Sequence, residues 1–266
     1  MVTLTTDWGD RDYFQAMVKG RMYSMIPGVT IVDLSHSQVW DGHTTTANII
    51  RFGCFAFPAG TVHVIDVGFD QDKIEGDCCP KTLIASVGGH RFVCSSRKLF
   101  ELAIDRPVDQ LAELPVPSGS ATFLAYTQYC DVVARLLSGE EPLQIGEPCA
   151  PLRRRTPLSA QSVGDRLSAM VTGVDSYGNA FLNITYDDFE RVRAGRRFRV
   201  ELEWRLGSNE RYETVSGVSN HYSNVRVGEL LLTVSATGYM QLAVNRDSAA
   251  RLVGLNIMSR CSFIFY

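Results

Sequence analysis

The chain has 266 residues and a mass of 29.5 kDa, enough for one large or two ordinary domains. Hydrophobic residues make up 45% and charged residues 21%, a mix typical of a globular protein and not of a disordered or fibrous one. The formal net charge is only -3 and the densest basic cluster is Arg153 to Arg155, which argues against nucleic acid as a main partner.

The first half of the chain alternates strand-like and helix-like segments. The predicted strands span residues 2–5, 30–34, 61–67, 81–87 and 90–94, and the predicted helices span 13–25, 45–55, 99–104 and 122–137. The last two strands are joined by the hairpin turn Gly88-Gly89, which predicts an exposed His90. This alternation predicts an α/β domain with a mainly parallel sheet flanked by helices.

A proline-rich stretch near residue 150 interrupts this pattern, and we place the domain boundary there, between residues 1–150 and 151–266. The second part begins a different pattern, in which apolar and charged residues alternate strictly over 199–206. Further strands are predicted at residues 167–174, 230–234 and 239–244, and the only helix at 248–252. Short strands at this spacing predict a smaller antiparallel β-barrel domain.

The sequence carries no sign of a membrane, secretory or metal-binding protein. No apolar stretch approaches the roughly 20 residues of a membrane helix, and the N-terminus has no basic and apolar signal regions. The seven cysteines form no C-x-x-C pair, so neither a disulfide framework nor a structural zinc site is expected, and Cys78 and Cys79 are interpreted as free thiols on a loop. We expect a cytoplasmic protein with no membrane partner, no metal and no cofactor.

Polar side chains follow each of the first three predicted strands. Asp7 follows the first, His36 the second, and Asp66 and Asp70 the third. Ligands of open α/β sheets bind beyond these strand ends, where carboxylates and an imidazole can bind ribose hydroxyls or polarise water. The alternative is that each carboxylate caps a following helix. The standard dinucleotide, phosphate-loop, zinc-protease and α/β-hydrolase motifs are missing.

Two segments of the second half are further candidates. Asp175, Tyr177 and Asn179 surround a tight glycine turn, where an aromatic ring can stack on a base and polar groups can bind a ligand. Residues 245–248 precede the predicted helix, a position that favours a carboxylate ligand. Ordinary turn chemistry and a plain helix N-cap explain the same residues without a ligand.

Several segments in order resemble the S-adenosylmethionine hydroxide adenosyltransferase family, which is related to fluorinating and chlorinating enzymes. Residues 4–13 read L-T-T-D-W-G-D-R-D-Y and are similar to the family start T-T-D-F-G-x-x-D-x-Y. The other matching segments are M-V-K-G at 17–20, I-V-D-L-S-H at 31–36, F-P-A-G-T-V-H at 57–63, V-D-S-Y-G-N-A-F-L-N-I at 174–184 and G-Y-M-Q-L-A-V-N-R-D-S-A at 238–249.

The resemblance implies an N-terminal α/β domain, a C-terminal β-barrel and a homotrimer whose sites lie between subunits. It implies S-adenosyl-L-methionine as substrate and displacement of its sulfonium by water at the ribose C5′, which gives adenosine and L-methionine. Asp7 would hold the ribose hydroxyls. The remaining residues expected to bind the nucleoside substrate are Trp8, Trp40, Asp175, Tyr177, Asn179, Ser235, Asn245, Arg246, Ser248 and Ala249.

The sequence departs from the family at the residues that orient the water. An ungapped match puts Gly68 where hydrolysing members have Asp, no Arg follows before Arg91, and Leu124 and Tyr126 replace a His and an Arg. We therefore consider three functions: a hydrolase that uses Asp66 or Asp70 as a substitute, an enzyme that uses a halide, and a binding protein that has lost catalysis.

Overall fold

The computed structural model describes residues 1–37, 43–68, 81–115, 117, 123–153, 159–206 and 209–266. The chain divides into two compact units, Met1–Arg155 and Thr156–Tyr266, each with its own sheet and hydrophobic core. The fold is mixed α/β, as the sequence predicts. Among the described residues no helix is long and apolar enough to cross a membrane.

The first unit is built on a seven-stranded sheet in the order β2-β1-β3-β5-β4-β6-β7. The strands are β1 (Val2–Thr6), β2 (Ile31–Ser35), β3 (Val62–Asp66), β4 (Lys81–Val87), β5 (His90–Cys94), β6 (Gln110–Pro115) and β7 (Glu147–Pro148). The helices are α1 (Phe14–Met25), α2 (His43–Asn48), α3 (Arg97–Ala103), α4 (Cys130–Leu137) and α5 (Pro142–Ile145). A π-helical turn at 49–53 follows α2, and another at 125–129 precedes α4.

Helices cover both faces of this sheet, and successive side chains of a strand point to opposite faces, so each strand packs against helices on two sides. Val62 and Val64 of β3 pack with Val18 of α1 and Val133 of α4, whereas Ile65 packs in a second cluster with residues of α3. The sheet is parallel across β2, β1, β3 and β5 and antiparallel across β4, β6 and β7. The predicted parallel character therefore holds for half of the sheet, since the two-residue turn after β4 imposes an antiparallel pair.

The expected exposure of His90 is wrong. Its side chain is 6% exposed, and its Nδ1 lies 3.0 Å from Nε2 of His63, which is fully buried on β3. His90 is the first residue of β5, as predicted, but its ring packs against His63 and Phe55, so contacts across the sheet rather than the neighbouring turn decide its burial.

The second unit holds a nine-stranded sheet, curled into a half-barrel and largely antiparallel. Its strands are β8 (Gln161–Val163), β9 (Arg166–Val174), β10 (Ala180–Thr185), β11 (Phe198–Leu206), β12 (Asn209–Val215), β13 (Val218–Ser219), β14 (Leu230–Val234), β15 (Tyr239–Val244) and β16 (Arg260–Phe265). Its helices are α6 (Tyr186–Arg193) and α7 (Ala249–Val253). The expectation of a single helix is therefore wrong: Thr185 caps α6 by accepting a hydrogen bond from the Asp188 N–H at 3.1 Å, and Phe189 anchors it in the core.

Candidate functional site

The first unit places Asp7 and Asp66 at one edge of its sheet. Strands β1 and β3 are parallel neighbours, and Thr6 pairs with Asp66, so Asp66 as the last residue of β3 and Asp7 directly after β1 lie at the same carboxyl ends. The backbone N–H of Gly68 donates a hydrogen bond to Oδ2 of Asp7 at 3.0 Å. Because α1 begins at Phe14 with Tyr13 at its N-cap, Asp7 does not cap it, and its exposed carboxylate faces solvent at the rim.

Trp8 connects the ends of three strands. Its indole Nε1 donates to Oδ2 of Asp66 at 2.8 Å, its ring stacks on His36 with 5.9 Å between centroids, and Phe123 meets it edge-on at 5.3 Å. We call Asp7, Trp8, His36, Asp66 and Gly68 the β1–β3 rim. The predicted convergence of polar groups at these strand ends is present in the structure.

His36 is a buried wall of the rim. Oγ1 of Thr6 lies 2.6 Å from its Nδ1, and Oδ1 of Asp33 lies 3.0 Å from its Nε2. The Asp33 carboxylate also pairs with Lys19 at 2.6 Å. Among the described residues Nε2 has no well-aligned hydrogen-bond partner despite this short contact, but it is buried. The imidazole therefore stacks behind Trp8 and does not present a nitrogen at the surface of the rim.

The Asp66 carboxyl has an unusual proton affinity. Burial raises its pKa and the negative charge of Asp7 adds to the effect, while hydrogen bonds from Trp8 and Ser95 oppose it, and the pKa is raised to about 6. A carboxyl with this pKa is ionised at neutral pH and is still basic enough to accept a proton from a reacting water. Asp66 is thus the rim group best suited to acid–base chemistry.

The structure also places the three positions at which the sequence departs from the hydrolysing pattern. Gly68 contributes only its backbone N–H to the rim. Leu124 is 4% exposed and belongs to the core beneath the sheet. The guanidinium carbon of Arg21 lies over the ring of Tyr126, 5.0 Å from the centroid of that ring. None of these three side chains offers a carboxylate, guanidinium or imidazole to a water molecule.

In the second unit, Asp175 organises the turn between β9 and β10. Its Oδ1 accepts hydrogen bonds from the N–H groups of Tyr177 and Asn179 at 3.0 and 2.9 Å, and its Oδ2 accepts one from Nδ2 of Asn179 at 2.9 Å. The turn chemistry recognised as an alternative is therefore present. Tyr177 projects from the turn with 80% of its surface exposed, which leaves its ring available for stacking.

The N-cap and first turn of α7 pack against this turn. The Ala250 N–H donates to the Gly178 carbonyl at 2.9 Å, and Ser248 caps α7 by accepting from the Arg251 N–H at 3.1 Å. Gly178 has a φ of +83°, and a Cβ added there would lie 2.5 Å from Cβ of Ser248. Only glycine fits such a position. We call residues 175–179 together with 245–249 the Asp175 cluster.

Not every predicted contact residue lies at the surface of the Asp175 cluster. Arg246 is exposed with a φ of +60°, and Asn245 donates from Nδ2 to the Val225 carbonyl at 2.8 Å. Asn179 and Ala249 are buried and support the turn from within. Ser235 lies in the turn before β15, at the opposite end of that strand from Asn245. Its role stays a prediction without support from its position.

Four predicted residues, Trp40, Asp70, Cys78 and Cys79, lie outside the described residues. The five cysteines in the described ranges form no disulfide bond with one another. Over those same ranges, no group of three or more His, Cys, Asp or Glu side chains is placed to hold a metal ion.

Sequence reasoning missed how the rim residues connect. The Gly68 N–H and the pairing of Trp8 with Asp66 depend on side-chain rotamers and on strand register, which a linear sequence does not show. Ser95, which follows β5 and whose Oγ accepts from the Val67 N–H at 3.2 Å, was also missed. Its position after a strand was the signal that could have found it.

The comparisons with known proteins cover both units. The SAM hydroxide adenosyltransferase N-terminal domain matches residues 2–146, and the C-terminal domain of the same family matches residues 169–262. Among curated proteins, the chain is 26% identical over 267 residues to an (R)-S-adenosyl-L-methionine hydrolase of Salinispora tropica, covering 96% of this chain and 94% of that protein. It is 23% identical over 275 residues to a fluorinase of an Actinoplanes species, covering 92% of this chain and 91% of that protein.

Two solved structures share the fold. An uncharacterized conserved protein from Thermotoga maritima superposes with a TM-score of 0.81 at 20% identity, over 99% of this chain and 100% of that one. A conserved hypothetical protein from Thermus thermophilus superposes with a TM-score of 0.68 at 22% identity, over 100% and 99%. With both domain models matched in order over most of its length, the chain belongs to the SAM hydroxide adenosyltransferase family.

Proposed function

We propose that the protein hydrolyses S-adenosyl-L-methionine to adenosine and L-methionine, with Asp66 orienting the attacking water. The observation that carries this proposal is the carboxyl of Asp66, held at the β1–β3 rim beside Asp7 by the Trp8 hydrogen bond, with a pKa raised to about 6 by burial and by the Asp7 charge. The curated hydrolase relative, 26% identical, supports the same reaction class.

The reaction is a substitution at the ribose C5′. The water oxygen forms a bond to C5′, and the C5′–S bond breaks with its electron pair returning to sulfur, which leaves the neutral thioether of methionine. The water proton passes to the Asp66 carboxylate and then to solvent. Because a cationic sulfonium is already a good leaving group, the chemistry asks the protein mainly to align the nucleophile with C5′ and to exclude competing water. No metal ion is required by this step.

Substrate binding is assigned to both units. Asp7, whose Oδ2 is fixed by the Gly68 N–H, presents an acceptor at the rim for the ribose hydroxyls. Tyr177, exposed on a turn that Asp175 orders, presents a ring for the adenine base. We further propose that the protein forms a homotrimer in which the β1–β3 rim of one subunit and the Asp175 cluster of the next bind the same substrate.

A second candidate function is nucleoside binding without turnover. The observation that favours it is the replacement of the water-orienting residues by Gly68, the buried Leu124 and Tyr126, none of which supplies a carboxylate, guanidinium or imidazole. A halide-using reaction is the third candidate, and it is favoured by the fluorinase relative at 23% identity.

One experiment separates the three candidates. Purified protein is incubated with S-adenosyl-L-methionine alone, with chloride and with fluoride, and adenosine, 5′-halogenated nucleoside and methionine are quantified by chromatography. Hydrolysis predicts adenosine and methionine in equal amounts regardless of halide. A halogenated nucleoside in the samples with chloride or fluoride would refute hydrolysis and support the halide-using reaction. Measurable adenosine binding by calorimetry without any product would refute both enzymatic functions and establish the binding protein.

A further inference from the structure

The position of Trp8 is at odds with a role as a substrate-stacking residue. One face of its indole lies on His36, and Phe123 makes a T-shaped contact with the ring, so protein side chains already pack against Trp8 from two sides. Its polar atom, Nε1, is directed at Oδ2 of Asp66 rather than at open solvent. The backbone N–H of Trp8 lies 3.4 Å from Oγ1 of Thr6, which holds this residue close to the end of β1.

We propose that Trp8 is a positioning residue, whose indole N–H fixes the Asp66 carboxylate toward the attacking water, and that it does not bind the substrate by stacking. This inference rests on the proposed function. A carboxylate is planar, so holding Oδ2 at 2.8 Å from Nε1 sets the direction in which Oδ1 points. The indole N–H is the donor of this bond, and the phenylalanine present in the family start has no donor and could not make it.

This chain has Trp8 where the family start has phenylalanine, and Gly68 where hydrolysing members have aspartate. Together the two changes make Asp66 the carboxylate that a neighbouring indole can orient. Gly68 brings no side chain to the rim, and Asp66, two residues earlier at the end of β3, is the carboxylate that remains in the described part of this loop. A carboxylate at the end of a strand needs a fixed orientation to act on a water, since a misplaced group loses much of its catalytic effect. Trp8 supplies that orientation from the neighbouring strand.

The groups around Asp66 determine its pKa, and the Trp8 hydrogen bond is one of them. The ionisable groups that interact with Asp66 from neighbouring described elements are Asp7 after β1 and Tyr129 in the turn before α4. His36 lies on the far side of the Trp8 ring, and Cys94 at the end of β5 interacts with Tyr129. Burial raises the pKa of Asp66 and the charge of Asp7 raises it further, whereas the Trp8 hydrogen bond lowers it. Removal of the indole donor should therefore move the ionisation of Asp66 to higher pH.

The test compares the pH dependence of kcat and kcat/KM in the wild type, Trp8→Phe and the control Phe123→Leu. Trp8→Phe keeps a ring against His36 and removes only the donor, so the acid limb, near pH 6 in the wild type, should move upward by about one pH unit, as loss of a hydrogen bond to a charged group implies. Its kcat should fall by about 10- to 100-fold with little change in KM. Phe123→Leu loosens the ring packing but retains the donor, and its acid limb should stay in place.

An unmoved acid limb in Trp8→Phe, or a rise in KM at constant kcat, would overturn the positioning role and assign Trp8 to substrate binding. A second measurement does not depend on turnover. The NMR signal of the Trp8 indole N–H should titrate with a midpoint near pH 6 in the wild type and should lose this titration in Asp66→Asn. If the wild type shows no turnover, the proposed function fails, and the indole titration still decides whether Trp8 and Asp66 are coupled: its absence in the wild type overturns the coupling.

Discussion

The buried histidine pair of the first unit predicts a loss of stability in acid. His63 on β3 is fully buried, with Oγ1 of Thr3 2.6 Å from its Nδ1 and Nδ1 of His90 3.0 Å from its Nε2. Burial, together with a smaller contribution from the charge of His90, lowers the pKa of His63 from 6.5 to about 3. Burial and the nearby Arg106 also lower the pKa of His90.

The sign follows from proton binding in the two states. Between pH 6.5 and about pH 3, the unfolded chain binds a proton at this histidine and the folded chain does not. As the pH is lowered through this window, the free energy of unfolding therefore falls by up to about 1.4 kcal/mol for each pH unit, or about 5 kcal/mol in total. Asp66 acts in the opposite direction, because its folded pKa is raised and its proton stabilises the folded state at low pH.

The measurement is denaturant unfolding at a series of pH values from 4 to 7.5, for the wild type, His63→Gln and the control His221→Gln. His221 is exposed and lies in the second unit, away from His63, so His221→Gln should keep the steep pH dependence that His63 contributes. His63→Gln removes one titration, and the contribution of Asp66 cancels when the two curves are subtracted. The wild-type curve should be steeper than the His63→Gln curve by about 1.4 kcal/mol per pH unit. Parallel curves would refute the assignment of His63 as a buried neutral group.

Three further predictions concern the candidate site and the assembly. Gly178→Ala should lower the free energy of unfolding by about 2 to 5 kcal/mol, because it adds a clash with Ser248 to the cost of a positive φ; Gly238→Ala, at a φ of +80° with nothing within 4 Å, should lose only about 1 to 2 kcal/mol. Equal losses would contradict the close approach to Ser248. Asp7→Ala should weaken adenosine binding in calorimetry by about 10- to 100-fold, whereas Asp10→Ala should bind normally, and unchanged binding by Asp7→Ala would remove the ribose assignment. Light scattering should give a threefold multiple of the 29.5 kDa chain mass, and a monomer mass would exclude sites shared between subunits.

The sequence predicts those parts of the fold that depend on local pattern. The strands at 81–87 and 90–94 have the predicted bounds because Gly88 and Gly89, both with positive φ, permit only a tight turn between two apolar runs. Helix α6 was missed because it carries one buried residue, Phe189, among charged residues, so the apolar periodicity that identifies most helices is absent. Its Thr185 cap was visible in the sequence, and capping was the better signal there.

The candidate site was predictable as a set of positions and not as a set of interactions. Asp7, His36 and Asp66 each lie at the end of a strand, and the order of these parallel strands brings their carboxyl ends together. The indole bond from Trp8 to Asp66 depends on side-chain rotamers and on the stacking of Trp8 against His36, which is distant in the chain. The exposure of His90 was mispredicted for a related reason, since its burial is decided by packing across strands rather than by the neighbouring turn.

The turn at Asp175 has a consequence for how quickly a ligand could bind. Its carboxylate already accepts three hydrogen bonds from its own turn, and α7 holds the Gly178 carbonyl through the Ala250 N–H. The entropy of ordering this segment is therefore lost during folding and not during association. A base that stacks on Tyr177 meets a preorganised surface, so its association rate should be set by diffusion and orientation rather than by a search among loop conformations.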